Sequence, residues 1–227
     1  MSLRVAPGDT PPAVRRRCVI AATRFELACH PRFPHGEPKA GPWDSWSTAD
    51  ELFVACGPGP ALAGAGLAWA LSQGAVDHVL GIGIAGAFDE ACVEIGTAHW
   101  VAWESFADLG AEDGEQWLDF PALALPGLPQ SNRIGLGLPT GMTGVGGTTA
   151  SAVTGCEATA RMRRERTGAD VESMEGAAWA LVAGRFGIAL WQARGISNRV
   201  GRRDRSAWRI GEALKGLGAL LGSTPDI

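Results

Sequence analysis

Short apolar runs alternate with helix-length stretches along most of this chain. Residues 17–22 (Arg-Cys-Val-Ile-Ala-Ala) keep no polar face for water, the pattern of a strand buried on both sides. Runs at 52–56, 76–84, 98–104 and 189–196 repeat it, and 169–171 adds a short strand. A short helix is expected from Thr23, followed by helices over 61–73, 155–167, 174–186 and 205–221. The 61–73 stretch is rich in small residues, suited to close packing on a sheet. Residues 142–149 are glycine-rich and read as strand or loop. Residues 30–49 read as an irregular excursion, 106–114 as a polar loop, and 118–139 as a proline-broken stretch. This alternation predicts a single-domain three-layer α/β/α fold with a twisted, mostly parallel central sheet. Residues 17–222 form the domain, 1–16 read as a flexible leader and 223–227 as a tail.

Composition narrows the function classes. A chain of 227 residues, 46% hydrophobic, fits one domain with a sizeable core. A net charge of −4 supplies no general pull toward nucleic acid or an anionic membrane. No apolar run reaches the length of a membrane span, and the N-terminal stretch lacks the apolar segment of a signal peptide. The five cysteines are scattered and odd in number, which points to a reducing, cytoplasmic setting. The four histidines are not grouped with them at ligand spacing, so no metal is expected.

Several strand ends carry polar residues. Gly81-Ile-Gly-Ile-Ala-Gly86 fits the dinucleotide fingerprint by letter, but the segment leads to another strand and not to a helix. It reads better as a glycine-bared strand end where backbone approaches a ligand. Glu26, in Thr23-Arg-Phe-Glu26, has two readings: a capping box, or a carboxylate at the ligand-holding edge of the sheet. Glu172 and Glu175 stand where a strand hands over to a helix. They would complement the helix dipole, and they would equally suit the two donors of a sugar diol. Ser197 and Asn198 end another strand, as turn formers or as a third polar group at the same edge. Thr154-Gly-Cys-Glu157 reads as a capping box. Arg199, Arg202, Arg203 and Arg205 form a solvated turn or a seat for a small anionic group.

Taken in order, five segments resemble the nucleoside phosphorylase/nucleosidase superfamily. They are residues 19–27, Gly57-Pro-Gly59, Gly81 to Phe88, Val171-Glu-Ser-Met-Glu-Gly176 and Arg194-Gly-Ile-Ser-Asn198. They span nearly the whole of 17–221. Within the superfamily, 83–88, 105–114 and 196–206 are most similar to the hydrolases that release hypoxanthine from futalosine, in an alternative menaquinone pathway.

That resemblance implies water as nucleophile, no cofactor, a purine nucleoside as small-molecule partner, and a homodimer or higher homo-oligomer. It implies that Glu26 activates water, and that Met174 packs on the ribose while Glu175 grips it. Ile84, Gly86, Val153, Glu172 and Ser197 would complete the lining. Phe106 and its loop would close over the 5′ side, in this subunit or a neighbour. Arg203 or Arg205 would meet the substrate's terminal benzoate. Asn198 falls where adenine-specific members carry an aspartate. An amide can donate to O6 of hypoxanthine and accept from a protonated N7, whereas an ionised carboxylate would repel O6. Gly57-Pro-Gly-Pro60 offers no basic side chain for phosphate, with Arg24 beside Glu26 as the open question. The alternatives are an adenine-releasing nucleosidase, a phosphorylase and a non-catalytic nucleoside-binding protein.

Overall fold

Alternate residues of the first strand, β1 (Arg16–Ala21), enter two different apolar clusters. Cys18 and Ile20 pack with α2 (Pro60–Ser72) and α5 (Gly176–Phe186). Val19 and Ala21 pack with α1 (Arg24–Leu27) and α6 (Ile210–Gly222) on the other face. A strand with apolar side chains in both directions is thus covered on both sides. The computed structural model describes residues 16–74, 76–89, 91–126 and 129–224. The leader, apart from Arg16, and the last three residues of the expected tail lie outside them.

The main sheet runs in the order β10-β9-β5-β11-β4-β1-β3-β2. Its strands are β2 (Asp44–Ser47), β3 (Glu51–Ala55), β4 (Val76–Ala87), β5 (Ala98–Phe106), β9 (Gly144–Thr149), β10 (Val171–Ser173) and β11 (Ala189–Arg199), besides β1. A ninth strand, β8 (Ile134–Gly135), pairs with β5. Glu172 of β10 also pairs with Gly86 of β4, so β4, β11, β5, β9 and β10 close on themselves. That closure brings the ends of β4, β10 and β11 around one space.

The sheet is mixed: its four longest ladders are parallel, so the expectation of a mostly parallel sheet holds in part. Pairs β1–β3, β1–β4, β4–β11, β5–β9 and β9–β10 are parallel. Pairs β2–β3, β5–β11, β5–β8 and β4–β10 are antiparallel. No helix is described between β4 and β5, and without a crossover helix the chain returns antiparallel.

Other boundaries differ for local reasons. β4 continues through the glycine-rich segment to Ala87, because β11 pairs with it as far as Arg199. The supposed polar loop holds a hairpin, β6 (Ala111–Asp113) and β7 (Gln116–Leu118), turning at Gly114 with φ +62°. The proline-broken stretch forms α3 (Phe120–Leu123), capped by Asp119. A 3-10 turn over Arg205–Ala207 precedes α6. Helix α4 (Glu157–Thr167) has Cys156 as N-cap without a side-chain bond, so the capping box expected over 154–157 does not form. Thr154 is drawn to Glu172, and Glu157 accepts from the Arg202 amide.

Candidate active site

A cavity of about 390 Å³ opens where β1, β4, β10 and β11 end, the edge at which open α/β sheets hold ligands. Of the residues expected in the site, Glu26, Ile84, Gly86, Val153, Glu172, Met174, Glu175, Ser197, Asn198 and Arg203 line it. Phe106 does not. It ends β5 buried in the core against Phe120, with ring centroids 5.6 Å apart. Its ring is packed within this subunit and does not line the cavity over which the resemblance had placed it.

Glu26 forms the capping box and also stands on the cavity wall. Thr23 caps α1, accepting from the Glu26 amide at 3.2 Å, while Oε2 of Glu26 accepts from the Thr23 amide (3.0 Å) and hydroxyl (2.8 Å). Oε1 accepts from the Ile84 amide at 3.1 Å. The capping box therefore fixes a buried carboxylate on the cavity wall. Burial pushes the Glu26 carboxyl above its ordinary range, and the nearby Glu175 adds to this. The bonds from Thr23 and Ile84 and the Arg194 charge oppose it.

Glu175 is the N-cap of α5, but its carboxylate turns away from the helix. Oε1 accepts from the Gly59 amide and Oε2 from Nη1 of Arg194, each at 3.3 Å. Arg194 is 1% exposed, lies over the Trp179 ring at 5.0 Å, and finds no partner for Nε and Nη2 among the described residues. It faces Glu26 across Gly83. A Cβ there would stand 2.6 Å from Nη1 and 2.8 Å from Oε1 of Glu26. Glycine at 83 is what permits this approach.

Both oxygens of Glu172 are engaged. Its Oε1 accepts from the Thr154 amide at 2.9 Å. Its Oε2 accepts from the Thr154 hydroxyl (2.6 Å) and from Nη1 of Arg163 (2.9 Å). It braces the 153–154 wall and has little acceptor capacity left for a diol. Asn198 follows a register shift in β11 between Ile196 and Asn198. That irregularity lets Ser197 and Asn198 both reach the cavity. Oδ1 of Asn198 accepts from the Ser197 hydroxyl at 2.7 Å, and Nδ2 donates to the Arg199 carbonyl at 2.7 Å.

Sequence reasoning missed Arg194, Ser173, Phe25 and Trp208. The last three line the cavity, and the buried Ser173 hydroxyl has no partner among the described residues. For Arg194 there was a signal: a charge inside an otherwise apolar strand is buried only with a partner. Arg24 is exposed, donates to the Gly36 carbonyl and sits over Trp46, away from the cavity. Arg205 does not line the cavity either. Among the described residues no group of three or more His, Cys, Asp or Glu could hold a metal. No helix among them is long and apolar enough to cross a membrane.

No family model matches the chain. A futalosine hydrolase of Thermus thermophilus is 33% identical over 212 residues, covering 88% of this chain and 90% of that protein. One of Streptomyces coelicolor is 36% identical over 200 residues, covering 81% and 80%. Among solved structures, a Helicobacter pylori futalosine hydrolase superposes with a TM-score of 0.72 at 16% identity, covering 94% of this chain and 98% of that one. A 5′-methylthioadenosine/S-adenosylhomocysteine nucleosidase of S. pneumoniae, bound to a transition-state inhibitor, gives 0.71 at 16% identity, covering 91% and 96%. At that identity the structural likeness speaks for the fold alone.

Proposed function

This chain belongs to the futalosine hydrolase family, and from that premise we propose how its cavity carries out the reaction. The enzyme hydrolyses the N-glycosidic bond of futalosine, releasing hypoxanthine and dehypoxanthine futalosine, a step toward menaquinone. The observation that carries the mechanism is the meeting of Glu26, Glu175 and Asn198, from three separate strand ends, on one cavity of about 390 Å³.

The glycosidic bond lengthens as the purine leaves, and the ribose gains oxocarbenium character. Glu175 holds the 2′ and 3′ hydroxyls. Gly59 and Arg194 occupy one acceptor site on each of its oxygens and leave lone pairs for the sugar. Met174 packs on the ribose. Glu26, tethered at both oxygens, orients water and takes its proton as the oxygen attacks C1′. A base with a raised pKa accepts a proton more readily once it is ionised. Asn198 uses one N–H and one lone pair within the protein. The second N–H donates to O6, and the second lone pair faces N7, which takes a proton from solvent as the bond breaks so that hypoxanthine leaves neutral; Glu26 returns the proton it took from water to solvent. Arg203, at the cavity wall, meets the benzoate at the 5′ end.

Phosphate is disfavoured as nucleophile. The Gly59 amide, in the turn where a phosphate would sit, is taken by Glu175, and Arg24 points elsewhere. The test is incubation with futalosine, inosine and 5′-methylthioadenosine side by side, with and without phosphate, followed by chromatography of free base and sugar. Hypoxanthine from futalosine, without a sugar 1-phosphate, is expected. Faster release of adenine, or a phosphorylated sugar, overturns the assignment.

A further inference from the structure

We propose that Glu104 is a positioning residue for Glu175, acting through Thr149 to cap the helix on which Glu175 stands. The inference rests on the reading above for the role of Glu175 alone. An N-cap side chain ordinarily accepts from an amide of the first helical turn. Glu175 makes no such bond, because its carboxylate is turned to Gly59 and Arg194. The orphaned Ala177 amide instead donates to Thr149 Oγ1 at 2.7 Å, from the end of β9. The Thr149 hydroxyl in turn donates to Glu104 Oε2 at 3.0 Å. That bond fixes the hydroxyl so that a lone pair faces Ala177. The capping of α5 is thus supplied from behind, which frees Glu175 to face the cavity.

The sequence makes room for this arrangement. Glu104 is 1% exposed, and its other oxygen accepts from Nε2 of Gln192 at 2.5 Å. A Cβ on Gly176 would overlap Oε1, and one on Gly147 would come within 2.6 Å of it. Among the described residues no ion pair includes Glu104. A carboxyl buried without a direct counter-ion costs stability that an apolar residue would not. Two glycines and an unpaired carboxyl beneath a helix start are better suited to holding that start than to filling the core.

The experiment measures amide hydrogen exchange over residues 176–179 in the full chain, together with futalosine kinetics. The variants are Glu104→Ala, Thr149→Val, the double variant and Glu104→Gln. Each single truncation is expected to speed exchange at Ala177 and to raise KM, both by about tenfold, with kcat changing less. The double variant should go no further than either single one, since both cut one chain of bonds. Glu104→Gln, whose amide oxygen still accepts from Thr149, should recover most of both losses. Unchanged exchange at Ala177 in folded Glu104→Ala or Thr149→Val overturns the proposal. If Glu104→Ala does not fold, Glu104→Leu takes its place, because it fills similar space and removes both acceptor oxygens; unchanged exchange at Ala177 in it overturns the proposal. Exchange is read without substrate. A wild type that fails to cleave futalosine would sink the reaction assignment, while the anchor would still be judged by exchange.

Discussion

Glu26 and Ile84 are 58 residues apart in the chain and are joined by a 3.1 Å hydrogen bond from the Ile84 amide to Oε1. The bond ties α1 to β4. With Thr23 holding Oε2, the carboxylate cannot rotate without losing a partner. An oxygen that must both orient water and take its proton gains from such restraint, because little reorganisation is left for the transition state.

Replacing Glu26 by Gln keeps the shape and removes the base. Turnover should fall by about 10²–10⁴ with KM changed little. The pH profile supplies a second reading. Burial raises the Glu26 pKa, so its ionised form fills only above the ordinary carboxylate range. The wild-type kcat/KM should therefore rise with pH along a limb displaced upward from that range, and the variant should lose the limb. Steady-state kinetics across the acidic and neutral range decide it; a variant with near wild-type turnover removes Glu26 from the chemistry.

Gly83→Ala tests the approach of Arg194 to Glu26 without touching either. The added methyl would press on both groups, at 2.6 and 2.8 Å. Overpacking of this kind costs about 1–3 kcal/mol, and the strain falls on two groups of the site. Activity should drop at least tenfold while the melting temperature falls by only a few degrees. Thermal melts and initial rates on one preparation compare the two, and full activity would show that the site tolerates the displacement.

Strong periodicity and local chemistry were legible in the sequence. The buried strand at 17–22, the Thr23–Glu26 capping box and the polar ends at 175 and 197–198 all lie within a few residues of their own signals. The rest depends on distant pairing. Nothing near β10 announces that Glu172 pairs with Gly86 and closes the sheet. The edge strand at 44–47 has only four residues and forms against β3, so the segment looks irregular by itself. Phe106 ends a strand, and whether its ring faces the core or a ligand depends on Phe120. Glu104, Thr149, Gln192 and Arg194 are single polar residues spread over β5, β9 and β11, and only the fold unites them.

Asn198→Asp should reverse base preference. The carboxylate loses the N–H proposed to meet O6 and gains an acceptor suited to an exocyclic amine. Mismatched buried donor–acceptor sets discriminate by up to ~10⁴, so the ratio of hypoxanthine to adenine release should fall by at least two powers of ten. Paired kcat/KM values for inosine-type and adenosine-type substrates measure this, and an unchanged ratio rejects base reading by residue 198.

Arg163→Met should destabilise the chain strongly. Arg163 donates to Glu172, to the Thr154 hydroxyl and to the Ala152 carbonyl, each within 2.9 Å. Its loss leaves Glu172 buried and uncompensated, a cost of about 3–5 kcal/mol. Adding Glu172→Leu should recover a large part, since the stranded charge is gone. Urea denaturation of the wild type, Arg163→Met, Glu172→Leu and the double variant shows whether the pair is coupled; additive losses would mean that it is not.

Glu104 should make folding stability depend on pH. Burial raises its carboxyl from an ordinary value near 4.5 to about 7, against the opposing pull of Arg194, Gln192 and Thr149. The folded chain therefore holds this proton more tightly than the unfolded one. Its contribution to stability is fully present below about 4.5 and is lost as pH rises to 7, with no further change above that. The span corresponds to on the order of 3 kcal/mol. Other carboxylates titrate in the same window, so the informative quantity is a difference between proteins. Glu104→Gln carries no such proton, and its stability relative to wild type should climb as pH rises from about 4.5 to about 7. Parallel stability curves in urea would mean that Glu104 ionises at the same pH whether the chain is folded or not.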